Sequence, residues 1–346
     1  MTNSSQLIRR TIAGATAGLI AGTVLTSGLA SPAAAAPTGI ARVVGTTLEI
    51  TLADNATSEL RATPSGSTYR FRDILAPLAP GEGCTAVASA IPQVECTGYD
   101  RVLVRAGSQV DVVHLAAVNL PVEVDGGTGD DYIVGGRKAN RLVGGDGADA
   151  LYAYHPDHGA VSLTQRASFP SSTLIGGAGG DELYGGYGAD DISGGAGSDS
   201  LTYVLQYGAP GAPTVAVLLD DEANDGRIGE GDLVRTDIEA VVGGAGDDYL
   251  WAKSLPVRSA GVYLAGADGI DQIVGGDGAD FLVGGPGNDQ IVGMGGNDVL
   301  YGNGGDDFLF GMDGNDELYG EGGVDGAWGL DGQDTCDAED ENDCEL

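Results

Sequence analysis

A nine-residue pattern of glycine and aspartate recurs through this chain, and no other feature constrains its fold as strongly. Residues 275–283 show its form, Gly-Gly-Asp-Gly-Ala-Asp-Phe-Leu-Val. We count fifteen units, which lie at 126–152, 176–202, 243–251 and 266–337. Since four positions of the pattern agree independently across the units, glycine-rich composition alone cannot account for it.

Each recurrent position has a physical role that its residue type predicts. Position 1 is Gly in all fifteen units and position 4 in fourteen, so we expect both to take positive φ in tight turns that aim carbonyl oxygens at one point. Position 6 is Asp in fourteen units and adds a carboxylate there. Ca²⁺ prefers six to eight such oxygens at about 2.3–2.6 Å. Position 8 is Ile or Leu in thirteen units and is expected to point inward from a short strand.

A strong negative charge makes folding of this pattern dependent on cations. The formal net charge is −35, and aspartates on turns stacked about 4.8 Å apart would repel one another. An ion between two turns would use both side chains, so that its binding free energy becomes folding free energy. We therefore expect the calcium-free array to be disordered. The charge also argues against nucleic acid as a partner, because a basic patch is absent.

The pattern resembles the hemolysin-type calcium-binding repeat family, often called RTX. The resemblance implies an all-β fold, a parallel β-roll (a β-helix solenoid) in which two nonapeptides make one coil and Ca²⁺ ions lie along both edges. It also implies that the position-6 aspartates are calcium ligands. These are Asp131, Asp149, Asp181, Asp190, Asp199, Asp248, Asp271, Asp280, Asp289, Asp298, Asp307, Asp316, Asp325 and Asp334.

Three units depart from the pattern in ways that matter. Unit 135–143 has Lys138 at position 4 and Asn140 at position 6, which puts a calcium site there in doubt. Ala327 and Cys336 replace the large apolar residue at position 8 near the C-terminus. We expect the roll to fray or to be capped at that end, because terminal repeats are usually atypical.

The first 35 residues have the features of an export signal. Arg9 and Arg10 precede an apolar stretch at 11–29, and small residues around Ala35 fit a cleavage site after that residue. A membrane anchor is the alternative, since the stretch is just long enough to span. The general secretory route and the twin-arginine route both stay open. We expect a secreted, extracellular protein with no membrane span in the mature chain.

Four cysteines fit an oxidising compartment. Sequence alone allows three pairings. We favour Cys84 with Cys96 and Cys336 with Cys344, since each nearest-neighbour pair then lies at one end of the roll.

The segments outside the repeats define the predicted organisation. Residues 36–125 show short alternating runs and are predicted to form a β-rich N-terminal cap, with a separate binding domain as the alternative. The predicted order continues with first repeats at 126–202 carrying a loop insertion at 153–175, an acidic insertion at 203–242, main repeats at 243–337 and an acidic C-terminal tail at 338–346.

The acidic insertion partly matches a second calcium motif. Asp221, Asp225, Gly226 and Asp232 fall at positions 1, 5, 6 and 12 of an EF-hand loop. Ala223 fails at position 3, and position 12 lacks the usual Glu. An acidic surface turn is the default interpretation.

Catalytic motifs are missing from the sequence. Neither H-E-x-x-H nor G-x-S-x-G occurs, and the three histidines are His114, His155 and His158. We expect a calcium-binding protein that is not an enzyme, with a structural or surface-associated role. The alternatives are a calcium-dependent adhesin or glycan-binding module, with an unidentified cell-surface or glycan partner, and an extracellular enzyme that uses an unrecognised carboxylate site.

Overall fold

A computed structural model describes residues 39–54, 56–153, 170–203, 214–227, 230–252, 261–338, 340–342 and 344. They all lie in one compact unit, Pro37–Leu346. The predicted signal peptide at 1–35, most of the loop at 153–175, His155 and His158 lie outside the described residues.

The described residues form strands joined by tight turns. Numbered in chain order, the strands are β1 (Gly39–Val44), β2 (Thr47–Thr51), β3 (Glu59–Ser65), β4 (Thr68–Asp73), β5 (Leu78–Pro80), β6 (Cys84–Val87), β7 (Gln93–Cys96), β8 (Arg101–Ser108), β9 (Val112–His114), β10 (Val122–Thr128), β11 (Tyr132–Val134), β12 (Asn140–Asp146), β13 (Ala150–Tyr152), β14 (Thr173–Gly179), β15 (Glu182–Tyr184), β16 (Asp191–Gly197), β17 (Ser200–Thr202), β18 (Val215–Leu218), β19 (Ala223–Arg227), β20 (Asp232–Val234), β21 (Ala240–Gly244), β22 (Tyr249–Trp251), β23 (Tyr263–Ala267), β24 (Gln272–Val274), β25 (Phe281–Pro286), β26 (Gln290–Gly295), β27 (Val299–Gly304), β28 (Phe308–Asp313), β29 (Glu317–Gly322), β30 (Gly326–Asp331), β31 (Thr335–Asp337) and β32 (Asp340–Asn342).

The strands stack into two long ladders that face each other across one core. Ladder one runs β5-β1-β2-β8-β10-β12-β14-β16-β20-β19-β18-β22-β24-β26-β28-β30-β32. Ladder two runs β6-β7-β4-β3-β9-β11-β13-β15-β17-β21-β23-β25-β27-β29-β31. Through the repeats the chain alternates between the ladders, and neighbouring strands pair in parallel. The prediction of an all-β parallel roll is confirmed.

The position-8 side chains fill the space between the ladders. Leu282, Ile291, Leu300, Leu309 and their counterparts are fully buried and belong to one continuous cluster. Because side chains alternate along a strand, positions 7 and 9 point away from this core. Burying one Leu or Ile contributes about 1.5–3 kcal/mol, so each coil gains little by itself and depends on its neighbours.

The N-terminal region both caps the roll and extends it. Strands β2 and β8 continue ladder one in parallel with β10, and β3 and β9 continue ladder two in parallel with β11. Beyond them, β1 pairs antiparallel with β2, and β4, β7 and β6 form an antiparallel extension of ladder two. The predicted boundary at residue 125 falls inside β10, because coils with degenerate sequence stack on the repeats without interruption.

The acidic insertion at 203–242 is also built into the roll. Strand β20 pairs in parallel with β16, and β18 pairs in parallel with β22. Strand β19 lies between them and is antiparallel to both. Ladder one therefore continues through the insertion with one reversed strand.

Each end of the roll carries a disulfide. Cys84 and Cys96 lie opposite each other on β6 and β7, with their Cα atoms 4.1 Å apart. Cys336 joins Cys344 across a Cα separation of 5.9 Å. This is the pairing that the sequence favoured. The predicted acidic tail contributes β32, which pairs in parallel with β30 and adds a last strand to ladder one.

Among the described residues, no helix is long and apolar enough to cross a membrane.

Candidate metal centre

The predicted ligands form two columns, one along each edge of the roll. The first edge is where the chain passes from ladder one to ladder two, and the second is where it returns. All fourteen position-6 aspartates are at most 3% exposed. The first file consists of Asp131, Asp149, Asp181, Asp199, Asp280, Asp298, Asp316 and Asp334. The second file consists of Asp190, Asp248, Asp271, Asp289, Asp307 and Asp325.

One carboxylate oxygen of each aspartate ties its coil to the preceding coil. The backbone N–H of Asp280 donates to Oδ1 of Asp298 at 2.8 Å, and the N–H of Asp298 donates to Oδ1 of Asp316 at 2.8 Å. The second file repeats this contact, from Asp271 to Asp289 at 2.8 Å and onward. Half of each carboxylate is therefore committed to the protein, which the sequence pattern did not reveal.

The other oxygen, Oδ2, is buried and lacks a hydrogen-bond partner within the described part of the chain in most units. Those units contain Asp131, Asp149, Asp181, Asp190, Asp199, Asp248, Asp271, Asp289, Asp298, Asp307, Asp316 and Asp334. A buried carboxylate oxygen without a partner is costly. A cation beside it would remove that cost, so the donor set fits a metal ion.

The space beside Oδ2 is lined by backbone oxygen. A Cβ built on Gly293 would lie within 3 Å of both Asp298 Oδ2 and the carbonyl oxygen of Gly311 in the next coil. The same holds at Gly302, between Asp307 Oδ2 and the carbonyl of Gly320. We call this space the cradle. It joins a carboxylate with a carbonyl, which are the hard oxygen donors that Ca²⁺ takes.

Backbone carbonyls must supply much of the coordination. The described residues contain no group of three or more His, Cys, Asp or Glu side chains arranged to hold a metal. Each cradle would therefore hold Ca²⁺ through one carboxylate oxygen and turn carbonyls, and the ion would supply the positive charge that the files need.

The glycines at position 4 have the predicted role, and those at position 1 have a different one. Position 4 takes positive φ as expected, for example 137° at Gly305. The prediction for position 1 is wrong, since those glycines do not take positive φ, and Gly302 is required instead because a side chain would fill the cradle. Position 2 is also left-handed in most units, where it includes non-glycine residues such as Met294 at 82° and Glu321 at 74°.

Burial shifts the titration of the files. Removal from water is the main cause that raises the pKa of Asp131, Asp271 and Asp298 to about 7, and neighbouring carboxylates contribute to the rise. The pKa of Asp307 rises to about 6 for the same main reason. A cation in the cradle would favour the ionised form and oppose this shift.

Sequence analysis missed one member of the first file. Oδ1 of Asp111 accepts the N–H of Ser58 at 2.6 Å, and the N–H of Asp111 donates to Asp131 at 2.8 Å. Its Oδ2 is buried without a partner in the described structure. Residues 106–114 are a degenerate unit with Val113 buried at position 8. The available signal was Asp followed two residues later by an apolar residue, but the glycines at positions 1 and 4 are absent.

In the unit that lacks the position-6 Asp, an amide bridges the turns. Asn140 Oδ1 accepts the N–H of Gly136 at 2.7 Å, and Nδ2 donates to the carbonyl of Ala153 at 2.6 Å. The Nδ2 group also reaches Ser172 Oγ at 3.3 Å. The side chain thus supplies donors where other units present a cradle, which agrees with the doubt raised by the sequence about this site.

At the acidic insertion the chain supplies its own cation. Arg227 is 3% exposed, donates to the turn carbonyl of Gly186, and donates to the carbonyl of Tyr203 at 2.8 Å. Its guanidinium pairs with Glu230 at 3.5 Å and lies over the ring of Tyr187, 5.1 Å from the centroid. Gly186 belongs to the turn of the Asp190 unit, so a fixed positive charge lies at this level of the second file.

The carboxylates of the EF-hand-like segment have separate structural partners. Asp225 accepts the N–H of Leu218 at 2.6 Å and that of Val234 at 3.0 Å through its two oxygens. Asp232 accepts the N–H of Asp190 at 2.9 Å. These contacts brace the three inserted strands instead of directing the carboxylates toward one ion.

Comparison with known families agrees with this geometry. A family model described as RTX calcium-binding nonapeptide repeat (4 copies) matches residues 125–154, 171–201, 236–253, 265–300, 292–327, 301–336 and 312–343. These segments of the chain are RTX calcium-binding nonapeptide repeats. No curated protein matches the chain. The RTX match ends at residue 125 on its N-terminal side, so it does not extend to the Asp111 unit.

We predict that filling one RTX cradle will weaken calcium-dependent folding. Gly302→Ala places a methyl group between Asp307 Oδ2 and a carbonyl, so it should raise the calcium concentration at mid-transition and cost about 1–3 kcal/mol through overpacking. Gly304→Ala is the matched control, because a Cβ there meets no atom within 4 Å. Urea unfolding in calcium measures both. Equal loss in the two variants would contradict the assigned cradle.

We predict opposite pH responses with and without calcium. The ordinary Asp value is 3.8, and the folded value for several file members is about 7. The folded chain then binds protons more tightly, so the stability of the calcium-free roll should be greatest near pH 4 and fall as pH rises through about 7. Calcium affinity should rise over the same window. Thermal unfolding in chelator and in calcium measures the stability at each pH. If the stability of the calcium-free protein stops changing above about pH 5, the carboxylates titrate like ordinary surface groups and the prediction fails.

We predict that the buried guanidinium is essential to the middle of the roll. Arg227→Met leaves buried carboxylates without their cation and should cost about 3–5 kcal/mol. Arg235→Met is the control, since the Arg235–Asp191 pair is 38% and 43% exposed and should contribute at most about 1 kcal/mol. The free energies of unfolding of the two variants are compared with that of the unchanged protein. Similar losses in both would show that Arg227 has no special role.

Proposed function

We propose that this calcium-binding β-roll protein is secreted, acts as a structural or surface-associated component outside the cell, and has no catalytic site. Calcium would convert the exported chain into a rigid rod. Extracellular calcium modules work at about 10⁻⁴–10⁻³ M, so the chain would stay loose where calcium is scarce and fold where it is abundant.

The length of the two files is the observation that carries the proposal. Buried position-6 carboxylates recur from Asp131 to Asp334, so calcium would stabilise almost the whole roll. The features of residues 1–35 support export, and the bonds Cys84–Cys96 and Cys336–Cys344 suit an oxidising compartment.

A calcium titration tests the structural role. Far-UV circular dichroism of residues 36–346 should show a cooperative gain of β signal with Ca²⁺ and little change with Mg²⁺, because Mg²⁺ demands rigid octahedral geometry and gives up water reluctantly. A β spectrum that is the same in chelator and in Ca²⁺ would remove calcium as the folding switch.

A matched pair of variants assigns the effect to the files. In Asp298→Asn the amide oxygen can still accept the N–H of Asp280, but the charge at Oδ2 is lost, so the mid-transition calcium concentration should rise several-fold. Asp313→Asn removes one charge from an exposed position and should change the mid-transition calcium concentration little. Equal shifts would mean that calcium responds only to overall charge.

Export is tested separately. The protein should be found in the medium of the cells that produce it, with a mature N-terminus at Ala36 by mass spectrometry. A product that stays with the membrane and keeps residues 1–35 would support the anchor alternative.

A further inference from the structure

Five neighbouring strand segments on the outer face of ladder one in the C-terminal half carry no charge, although Asp313 and Asp331 follow at the ends of β28 and β30 and Asp340 of β32 pairs with Gly326. This surface, the neutral face, is formed by the first and third residues of β22, β24, β26, β28 and β30. Its members are Tyr249, Trp251, Gln272, Val274, Gln290, Val292, Phe308, Phe310, Gly326 and Trp328. None of them is charged at neutral pH, in a chain whose formal net charge is −35.

Three of the five aromatic rings of the neutral face are about half exposed, and those of Phe310 and Trp328 are partly buried. Tyr249 is 46% exposed, Trp251 48% and Phe308 54%. Large exposed aromatic groups concentrated on one surface mark an interaction site more often than scattered ones do. Rings stack on both faces, Phe310 on Trp328 at 4.8 Å on the neutral face and Tyr301 on Tyr319 at 4.9 Å on the opposite face.

The arrangement of the neutral face is linear. One aromatic cluster, Tyr249 and Trp251, lies at one end, and Phe308, Phe310 and Trp328 lie at the other. The strands β24 and β26 between them each present one Gln and one Val. Because neighbouring strands lie about 4.8 Å apart, the five strands extend for about 19 Å along the axis of the roll.

A second copy of the chain does not fit this surface. Three residues of strand are roughly 7 Å wide, so the footprint is on the order of 150 Å². A stable protein interface needs about 800 Å² on each partner. Widening the contact would bring the acidic edges of two copies together, where like charges repel.

An uncharged sugar polymer fits both the shape and the chemistry. Aromatic faces pack against the C–H faces of pyranose rings, and Gln272 and Gln290 offer amide donors and acceptors to hydroxyl groups. A polyanion would be repelled by the acidic edges, and a polycation would be drawn to those edges instead.

We infer that the neutral face binds an extended, uncharged polysaccharide lying along the axis of the roll. This goes beyond the structural role proposed above and does not depend on export. Because the face exists only when β22 to β30 are stacked, binding should require the folded, calcium-loaded protein.

The chain carries its own probe for this site. It has two tryptophans, Trp251 and Trp328, and both lie on the neutral face. Titration of the calcium-loaded full-length protein with cellohexaose, chitohexaose and mannohexaose should change the tryptophan emission for at least one of them. Trigalacturonate serves as the charged control. If none of the neutral sugars changes the emission or binds by calorimetry, the inference is wrong.

Variants locate the site. The double change Trp251→Ala and Phe308→Ala should weaken binding by about tenfold or more, because interface energy concentrates in a few aromatic contacts. Tyr319→Ala on the opposite face should leave the affinity for the sugar within about twofold of its original value. Calorimetry measures affinity, and circular dichroism in calcium shows that each variant folds. Equal loss in both variants would overturn the assignment.

Other outcomes are also decisive. If the double variant does not fold, the single change Trp251→Ala at a half-exposed position replaces it. Binding of trigalacturonate in preference to neutral sugars would overturn the inference. So would concentration-dependent dimers that the double variant abolishes, since a second copy would then cover the face. Failure of calcium-dependent folding itself would appear in the dichroism and belongs to the proposed function.

Discussion

The division of labour within each position-6 carboxylate is the contact on which the rest of the roll depends. Oδ1 accepts the backbone N–H of the preceding coil, as Asp298 does from Asp280 at 2.8 Å. That bond draws the coils together and at the same time buries Oδ2 beside a carbonyl oxygen. The geometry that stacks the chain therefore leaves a buried carboxylate oxygen without a hydrogen-bond partner in most of the described units. A calcium ion beside each of these oxygens would balance its negative charge, which is why the fold and the ligand cannot be considered separately.

The sequence predicted the architecture because its main determinants are periodic. Aspartate at position 6 and an aliphatic residue at position 8 recur in register, and the structure places Asp131 and its thirteen counterparts in two files. Conformation was harder to predict than topology. Glycine at position 1 was assigned to positive φ, yet Gly302 is needed for space, and left-handed backbone occurs at Met294, where no glycine marks it.

The features that the sequence did not predict depend on contacts between residues without a periodic relation. Arg227 reaches Gly186 and Tyr203, which lie 41 and 24 residues before it. Asn140 resembled a defective ligand, but its amide has three backbone contacts and one to Ser172. Where an ion site is missing from the pattern, a side chain supplies the donors. At these two levels the roll relies on its own side chains, and the files run through the other repeats on both sides.

The constant spacing of the inter-coil contact has a consequence for how such a chain can change in evolution. Within the uninterrupted arrays, donor and acceptor are 18 residues apart. Duplication or loss of one complete coil would leave every remaining strand on its own ladder. Gain or loss of a single nonapeptide would transfer all later strands to the opposite ladder and exchange the outer faces of the roll. The fold can therefore tolerate a change of length only when whole coils are gained or lost. A functional surface on one face survives such a change only when the coils that carry it are kept intact.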